Sequence, residues 1–487
     1  MILVLKFWGF VIMDKLYRVE QDSVGTIEVE ADAYYGVHSL RAKENFPITG
    51  YPMNRQMIIS IALVKKACAL TNFHANLLSK RKKDAIVKAC DEIIEGKLHD
   101  SFIVDAIQGG AGTSMNMNAN EVIANRALEL LGREKGSYRS LSPNDDVNMG
   151  QSTNDVIPTA GKIATIRLLK NLDEQLDRLI GAFDNKAKEF DDILKMGRTQ
   201  LEDAVPIRLG QEFNGYATSI RRCRKRLTKV AAELHVVNLG GTAIGTGINA
   251  DEKYEELIVP TLSKVSHLGL KQAEDLIDAT QNLDSFVAVS GAIKALAVTL
   301  SKICNDLRLI ASGPRTGIGE INLPAKQNGS SIMPGKVNPV IPEVVNQIAF
   351  NIIGNDVTIT MAAEAGQLEL NAFEPVVFFN LFQSIETLTN GVSTLIDNCV
   401  DGITANREHC SMQLHSSVGT VTALAPYLGY QKSAEIAKKA LKTGRSIREL
   451  VLEEKLLTEQ QLDVMMDARK MTSPGILGKQ DYYELSD

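Results

Sequence analysis

Ile163-Ala164-Thr165-Ile166-Arg167-Leu168-Leu169-Lys170-Asn171-Leu172-Asp173-Glu174-Gln175-Leu176-Asp177-Arg178-Leu179-Ile180-Gly181-Ala182-Phe183 is the stretch that decides the fold. Ile163, Ile166, Leu169, Leu172, Leu176, Leu179, Ile180 and Phe183 recur at the period of one helix face. Between Pro158 and Pro314 the only other prolines are Pro206 and Pro260. Proline lacks the N–H that an interior helical turn needs, so the middle of the chain divides into three helix-compatible segments of about fifty residues. Residues 286–310 carry few charges and little polar alternation, which predicts a helix buried on most sides. Residues 343–356, and a longer stretch from near Phe373, continue the pattern. Long helices joined by short breaks predict a mainly α fold with a central long-helix bundle.

Outward from that core, the start of the chain is turn-rich over 14–50, and Val24-Gly25-Thr26-Ile27-Glu28-Val29-Glu30 reads as part of a small β-hairpin. Helical spacing appears over 57–75 and 81–95. Gly109-Gly110-Ala111-Gly112-Thr113-Ser114 is a glycine-rich turn into an apolar helix ending near Leu131. It lacks the Gly-Lys-Ser/Thr that a phosphate cradle needs, which argues against nucleotide binding there. Shorter helices are expected over 421–428, 433–443 and 446–454, and Thr458-Glu459-Gln460-Gln461 reads as a capped helix start. The first thirteen residues, MILVLKFWGFVIM, are apolar but interrupted by Lys6, lack a small-residue cleavage site and are too short to span a bilayer. They are expected to be an extension outside the fold, with Met13-Asp14-Lys15 the better start. No transmembrane helix is expected in the remainder.

Composition narrows the function classes. At 487 residues the chain exceeds what one core serves, so two or three domains are expected. A net charge of −6 and 5% aromatic residues argue against nucleic acid or an anionic membrane as partner. The run Arg221-Arg222-Cys223-Arg224-Lys225-Arg226 reads as a solvated helix face. The six cysteines form no CxxC and the seven histidines no ligand pair, so reduced thiols in a cytoplasmic protein, and no metal site, are expected.

The chemistry gathers in four polar stretches. Gly329-Ser330-Ser331-Ile332-Met333-Pro334-Gly335-Lys336-Val337-Asn338-Pro339 has too much glycine and proline for a regular element, yet carries two hydroxyls, a lysine and a carboxamide. Pro339 and Pro342 suit the entrance of the following helix. Residues 112–120, Gly150-Gln151-Ser152-Thr153-Asn154-Asp155 and Gly197-Arg198-Thr199-Gln200-Leu201-Glu202-Asp203 are dense in neutral hydroxyls and amides. Each is expected at a break beside a long helix. Singly, each reads as a cap or turn. Together they suit a small dicarboxylate, which needs many neutral donors and one or two cations.

These four stretches resemble, in order and spacing, the signature blocks of the aspartase/fumarase superfamily, from about Tyr17 to Leu477. Thr113-Ser114-Met115-Asn116-Met117-Asn118-Ala119-Asn120-Glu121, Val340-Ile341-Pro342-Glu343, Glu364-Ala365-Gly366-Gln367-Leu368-Glu369-Leu370-Asn371 and Met471-Thr472-Ser473-Pro474-Gly475-Ile476 are most similar to its aspartase branch. The resemblance implies a three-domain fold: 14–155 mixed but mostly helical, 156–402 a helical bundle with an active-site loop at 327–340, and 403–487 small and helical. It also implies a homotetramer whose active sites are each shared between three subunits.

The implied reaction is the reversible deamination of L-aspartate to fumarate and ammonia. No organic cofactor is implied, and a divalent metal such as Mg²⁺ enters as an activator only. Abstraction of the β-proton builds a second negative charge on a carboxylate, so preorganised donors must carry the catalysis. By resemblance Ser330 is the base, and Thr113, Ser152, Thr153 and Ser331 are donors to that carboxylate. Lys336 and Asn338 clamp the α-carboxylate, and Asn154, Thr199 and Gln200 face the amine. Lys336 and backbone donors of the loop are expected to stabilise the Ser330 alkoxide. By the resemblance, fumarases and some aspartases carry histidine where Gln200 stands. Glutamine cannot protonate a departing hydroxide, whereas an ammonium leaves already protonated, which favours deamination. The alternatives are a class II fumarate hydratase or related dicarboxylate lyase, and a silent structural relative. Intact Ser330, Lys336 and Asn338 argue against the last.

Overall fold

The computed structural model describes residues 16–479, so the expected extension over 1–13 lies outside the described residues. Helices dominate, accompanied by four two-stranded sheets. The chain folds into two compact units. Among the described residues, one comprises 16–171, Arg226–Lys294 and Asn351–Glu386; the other comprises Leu172–Lys225, Ala295–Phe350 and 387–479.

The deciding stretch lies within one helix, Thr153–Glu189, of 37 residues. At 1.5 Å per residue it is about 55 Å long. Ile163, Leu169, Leu172, Leu176, Leu179, Ile180 and Phe183 are buried, as their spacing requires, whereas Ile166 is half-buried and Leu168 takes a core position instead. Pro158 does not precede this helix but lies in its second turn. Having no N–H, it leaves the Asn154 carbonyl free, and the Asn238 side chain donates to that carbonyl at 3.0 Å. Further along, a Cβ at Gly161 would lie 2.3 Å from the Phe378 ring, so only glycine permits this approach to the helix Glu374–Asn398.

Of the two other expected dividers, only Pro206 separates helices. Pro260 sits inside the helix Glu252–Ser266, and Pro206 lies in a strand. The third segment does yield a long helix, Asp284–Ile310, but only one side is buried, and Val298 is 51% exposed. Both this helix and Arg55–His74 are long and apolar enough by composition to cross a membrane, contrary to the expectation that no such helix occurs. Arg55–His74 is instead mostly buried and packs on Lys80–Ile94 and Glu252–Ser266. A core helix and a membrane helix satisfy the same hydropathy test because both lose water on all sides.

The smaller elements follow their local signals. Tyr17–Gln21 and Thr26–Glu30 form the expected antiparallel hairpin. The helices Ile447–Glu453 and Glu459–Met465 start on reciprocal capping boxes, Ser446 with Glu449 and Thr458 with Gln461. Leu424, Ile436, Leu450, Val451, Leu462 and Met465 share a compact cluster near the C-terminus. The basic run lies on the helix Leu209–Ala231, where Arg221 and Arg224 pair with Asp184 and Asp173.

Candidate active site

In the first unit, the residues preceding the long helix are fastened from below. The Asn148 side-chain oxygen accepts hydrogen bonds from Lys65 Nζ at 2.8 Å and from Asn116 Nδ2 and Asn120 Nδ2, each at 3.1 Å. Lys65 Nζ also donates to Gln151 Oε1 at 2.8 Å. Asn116 Nδ2 reaches Thr153 Oγ1 at 3.4 Å. Lys65 is fully buried, and the loss of water pulls its ammonium down to about 8. The hydroxyl of Ser152 accepts the Asn154 N–H at 3.2 Å, which leaves its own proton available to a ligand. Asn154 Nδ2 donates to the Ala243 carbonyl at 2.6 Å.

Thr113 is the first residue of the helix Thr113–Leu130, exposed, with its hydroxyl donating to the Gly110 carbonyl at 2.7 Å. A Cβ at Gly112 would lie 2.9 Å from Ile157, so this helix start approaches the start of Thr153–Glu189. Thr113, Ser152, Thr153 and Asn154 therefore belong to two neighbouring helix starts, where the positive end of the helix dipole favours an anion.

In the second unit, 197–203 is not a mere break beside a helix. It is the tip of an antiparallel hairpin, Leu194–Thr199 with Glu202–Arg208. Gln200 and Leu201 form its two-residue turn at φ 54° and 68°, the left-handed region that such a turn demands and that side chains resist. Asn-Gly is the usual signal for this turn, and its absence from Gln-Leu hid the hairpin from sequence analysis. Thr199 and Gln200 are exposed at this tip. Below them, the fully buried Glu320 carboxylate pairs with Lys195 at 2.7 Å and Arg198 at 2.5 Å, holding the base of the tip.

The loop 329–339 carries no regular element, as its composition requires. Its neck closes where the Gly329 N–H donates to the Lys336 carbonyl and Asn338 Nδ2 donates to the Gly329 carbonyl, both at 2.8 Å. A Cβ at Gly329 would meet Asn338 N and Lys336 O at 2.7 Å. Within the lobe, Ser330 Oγ accepts two backbone N–H groups, from Met333 at 3.0 Å and Ile332 at 3.2 Å. Ser331 and Lys336 are exposed, while Ser330 and Asn338 are half-buried. Among the described residues no group of three or more His, Cys, Asp or Glu is placed to hold a metal ion.

A protein-family model described as lyase matches residues 25–354, and one described as the fumarase C C-terminus matches 421–473. The chain belongs to the aspartase/fumarase superfamily of lyases. Its fold is the mainly α fold of that superfamily. Aspartate ammonia-lyase of Bacillus subtilis (strain 168) is 55% identical over 96% of this chain and 98% of its own length. The Escherichia coli (strain K12) aspartate ammonia-lyase is 50% identical over 96% and 98%. A crystal structure of a fumarate lyase:delta crystallin from Brucella melitensis, bound to cobalt, is 51% identical with a TM-score of 0.91, covering 94% of this chain and all of that one. A recombinant class II fumarase from Schistosoma mansoni is 35% identical, TM-score 0.90, over 94% of this chain and all of its own.

Outside the quoted stretches the fold brings up Lys65, Asn148 and the run 239–247, and within the stretch 150–155 it buries Asp155, for which no role was expected. Nothing in their local sequence marks Lys65 or Asp155 as fully buried. The run Leu239-Gly240-Gly241-Thr242-Ala243-Ile244-Gly245-Thr246-Gly247 did carry a signal, four glycines in nine residues with no helix or strand to serve.

Proposed function

We propose that this chain is an aspartate ammonia-lyase, a carbon–nitrogen lyase that converts L-aspartate reversibly to fumarate and ammonia. The observation that carries the substrate is the 55% identity, over nearly the full length of both chains, to an enzyme of that activity. In this reading Ser330, as its alkoxide, takes a proton from the β-carbon. The electron pair moves into the β-carboxylate, giving an aci-carboxylate dianion, and then returns to form the double bond as the C–N bond breaks. The two N–H groups aimed at Ser330 Oγ support the assignment, because together with the Lys336 charge they would stabilise the oxyanion left when the hydroxyl proton passes to solvent. Thr113, Ser152, Thr153 and Ser331 take the developing charge of the β-carboxylate. Lys336 and Asn338 hold the α-carboxylate, and Asn154, Thr199 and Gln200 meet the amine. Asn338 Nδ2 is already engaged at the loop neck, so Asn338 acts in good part by shaping the loop.

The active form is proposed to be a cytoplasmic homotetramer with three subunits contributing to each site. Phe350, Val357 and Met361 lie on one face of the helix Val340–Glu364 and are 63%, 56% and 66% exposed, an apolar stripe that suits burial against other copies. Six buried free thiols suit a reducing compartment. The division at 155/156 and 402/403 is retained as a proposal, supported at the C-terminal end by the apolar cluster there. No organic cofactor enters the scheme, and a divalent cation enters only as an activator. The test is fumarate absorbance with aspartate and then malate as substrate. Aspartate turnover with negligible malate turnover is expected; efficient malate dehydration would make the chain a fumarate hydratase. Gln200→Ala should weaken aspartate binding by about 1.5–3 kcal/mol, the loss of one hydrogen bond to a charged group.

A further inference from the structure

We propose that the glycine-rich loop 239–247 is a positioning element of the active site, holding the 152–154 turn through the Asp155 carboxylate and the Ala243 carbonyl. The inference rests on the reading of 152–154 as substrate-binding. Four observations join the two segments. Asp155, fully buried, accepts the Ser152 N–H on one oxygen at 2.9 Å and the Gly240 and Thr242 N–H groups on the other, each at 3.1 Å. Asn154 Nδ2 donates to the Ala243 carbonyl at 2.6 Å. Asn238, which precedes the loop, donates to the Asn154 carbonyl that Pro158 leaves free. The Asn238 side-chain oxygen in turn accepts from Thr159 Oγ1 at 3.3 Å, one residue beyond that proline.

The loop itself is stiff. The Gly241 carbonyl accepts N–H groups from Gly245 at 2.9 Å and Gly247 at 3.1 Å. Gly245, at φ 93°, lies so close to the backbone of Ile277 that a Cβ would stand 2.5 Å from it. A loop of this kind is a template rather than a flexible connector.

The template has a chemical consequence. A carboxamide offers either its N–H₂ or its oxygen to a ligand, and the two are close in shape. The bond from Nδ2 to Ala243 fixes which way the Asn154 amide points and turns Oδ1 the other way, an acceptor that matches an ammonium group. The Ser152 N–H is committed to Asp155, so its hydroxyl is set in one place to donate to a carboxylate. The loop thus gives the turn an acceptor for the amine beside a donor for the carboxylate. The ionised carboxylate is needed for this, because protonation removes an acceptor site from three converging N–H groups. Burial pushes Asp155 up to about 6, against the pull of those three N–H groups and Lys65. The other titratable groups around it are Lys65 and Cys68 on Arg55–His74 and Tyr254 on Glu252–Ser266, and all three stay in one form below pH 7 because burial moves Lys65 only to about 8 and raises the other two.

The test compares wild type with Asp155→Asn, Asn154→Asp and Asn154→Ala in steady-state deamination across pH, with melting temperature measured alongside. A wild type inactive on aspartate defeats the functional reading itself, before any variant is considered. Given an active wild type, Asp155→Asn should lower kcat about 10- to 100-fold, as a small misplacement of reacting groups does, and erase the acid limb near pH 6. Asn154→Asp keeps an acceptor for the amine but cannot donate to Ala243, so it should be as impaired as Asn154→Ala. Should Asp155→Asn fail to fold, Asn154→Asp carries the test, since Asn154 is only half-buried. Asp155→Asn with kcat within about twofold of wild type and an unchanged acid limb, or Asn154→Asp retaining most of the wild-type kcat, would overturn the proposal.

Discussion

At the scale of single residues, two groups set the chemistry by what surrounds them. Ser330 accepts the N–H groups of Ile332 and Met333 at its hydroxyl, and in the proposed mechanism these hold its alkoxide. Ser330→Ala should therefore leave the melting temperature unchanged, because the side chain buries little, while kcat drops by about a thousandfold or more. Circular dichroism and turnover on the same sample decide this, and a loss under tenfold would move the base elsewhere. Asp155 is the opposite case, a charge kept where water is not. Its folded-state value of about 6 lies above the ordinary 3.8, so the folded state holds the proton more tightly than the unfolded chain. The resulting stabilisation is complete below 3.8 and is lost as pH rises through about 6. A rise of that size corresponds to roughly 3 kcal/mol, at about 1.4 kcal/mol for each tenfold change in proton affinity. Denaturant titrations should show wild type gaining on Asp155→Asn as pH falls from about 6 towards 3.8, the window between the two values.

At the scale of elements, local signals succeeded where they were strong. The capping boxes at Ser446 and Thr458 start helices because each satisfies two orphan N–H groups. Prolines misled, because a proline is excluded from a helix only where its missing N–H and displaced carbonyl find no relief. Pro158 finds it in Asn238, which lies eighty residues away in sequence. The hairpin tip at Gln200 and Leu201 escaped notice for the converse reason, a strained turn without glycine. Leu201 is 72% exposed, so Leu201→Gly gives up little burial and relieves the left-handed backbone. The variant should be more stable by about 1 kcal/mol, read as a rise in melting temperature. A fall would show that the leucine side chain is covered in the assembled protein.

At the scale of the whole molecule, the helix Val340–Glu364 leaves Phe350, Val357 and Met361 largely exposed along one face. Phe350→Glu should be harmless in a protein that works as a monomer. In a tetramer it places a charge in a dry interface, at a cost of several kcal/mol, and should shift sedimentation towards smaller species with loss of turnover. An active monomer in the wild type at assay concentration would remove the tetramer from the proposal.

The sequence by itself determined the helix class, the start of several helices such as Arg55–His74, Lys80–Ile94, Thr113–Leu130 and Glu459–Met465, the unstructured character of 329–339 and the family. Periodicity, caps and glycine–proline clusters act within a few residues, so they are legible in one dimension. Which charges are buried was decided only by tertiary structure. Lys65, Asp155 and Glu320 look like surface residues in sequence and are fully buried in the fold. Their partners Gln151, Gly240 and Lys195 lie far along the chain or on another element. Burial of a charge depends on long-range contacts that supply its hydrogen bonds, and no local pattern encodes them. The glycine-rich loop shows the boundary between the two. Its composition announced a special backbone, but only the fold revealed that the backbone bonds the side chains of Asn154 and Asp155.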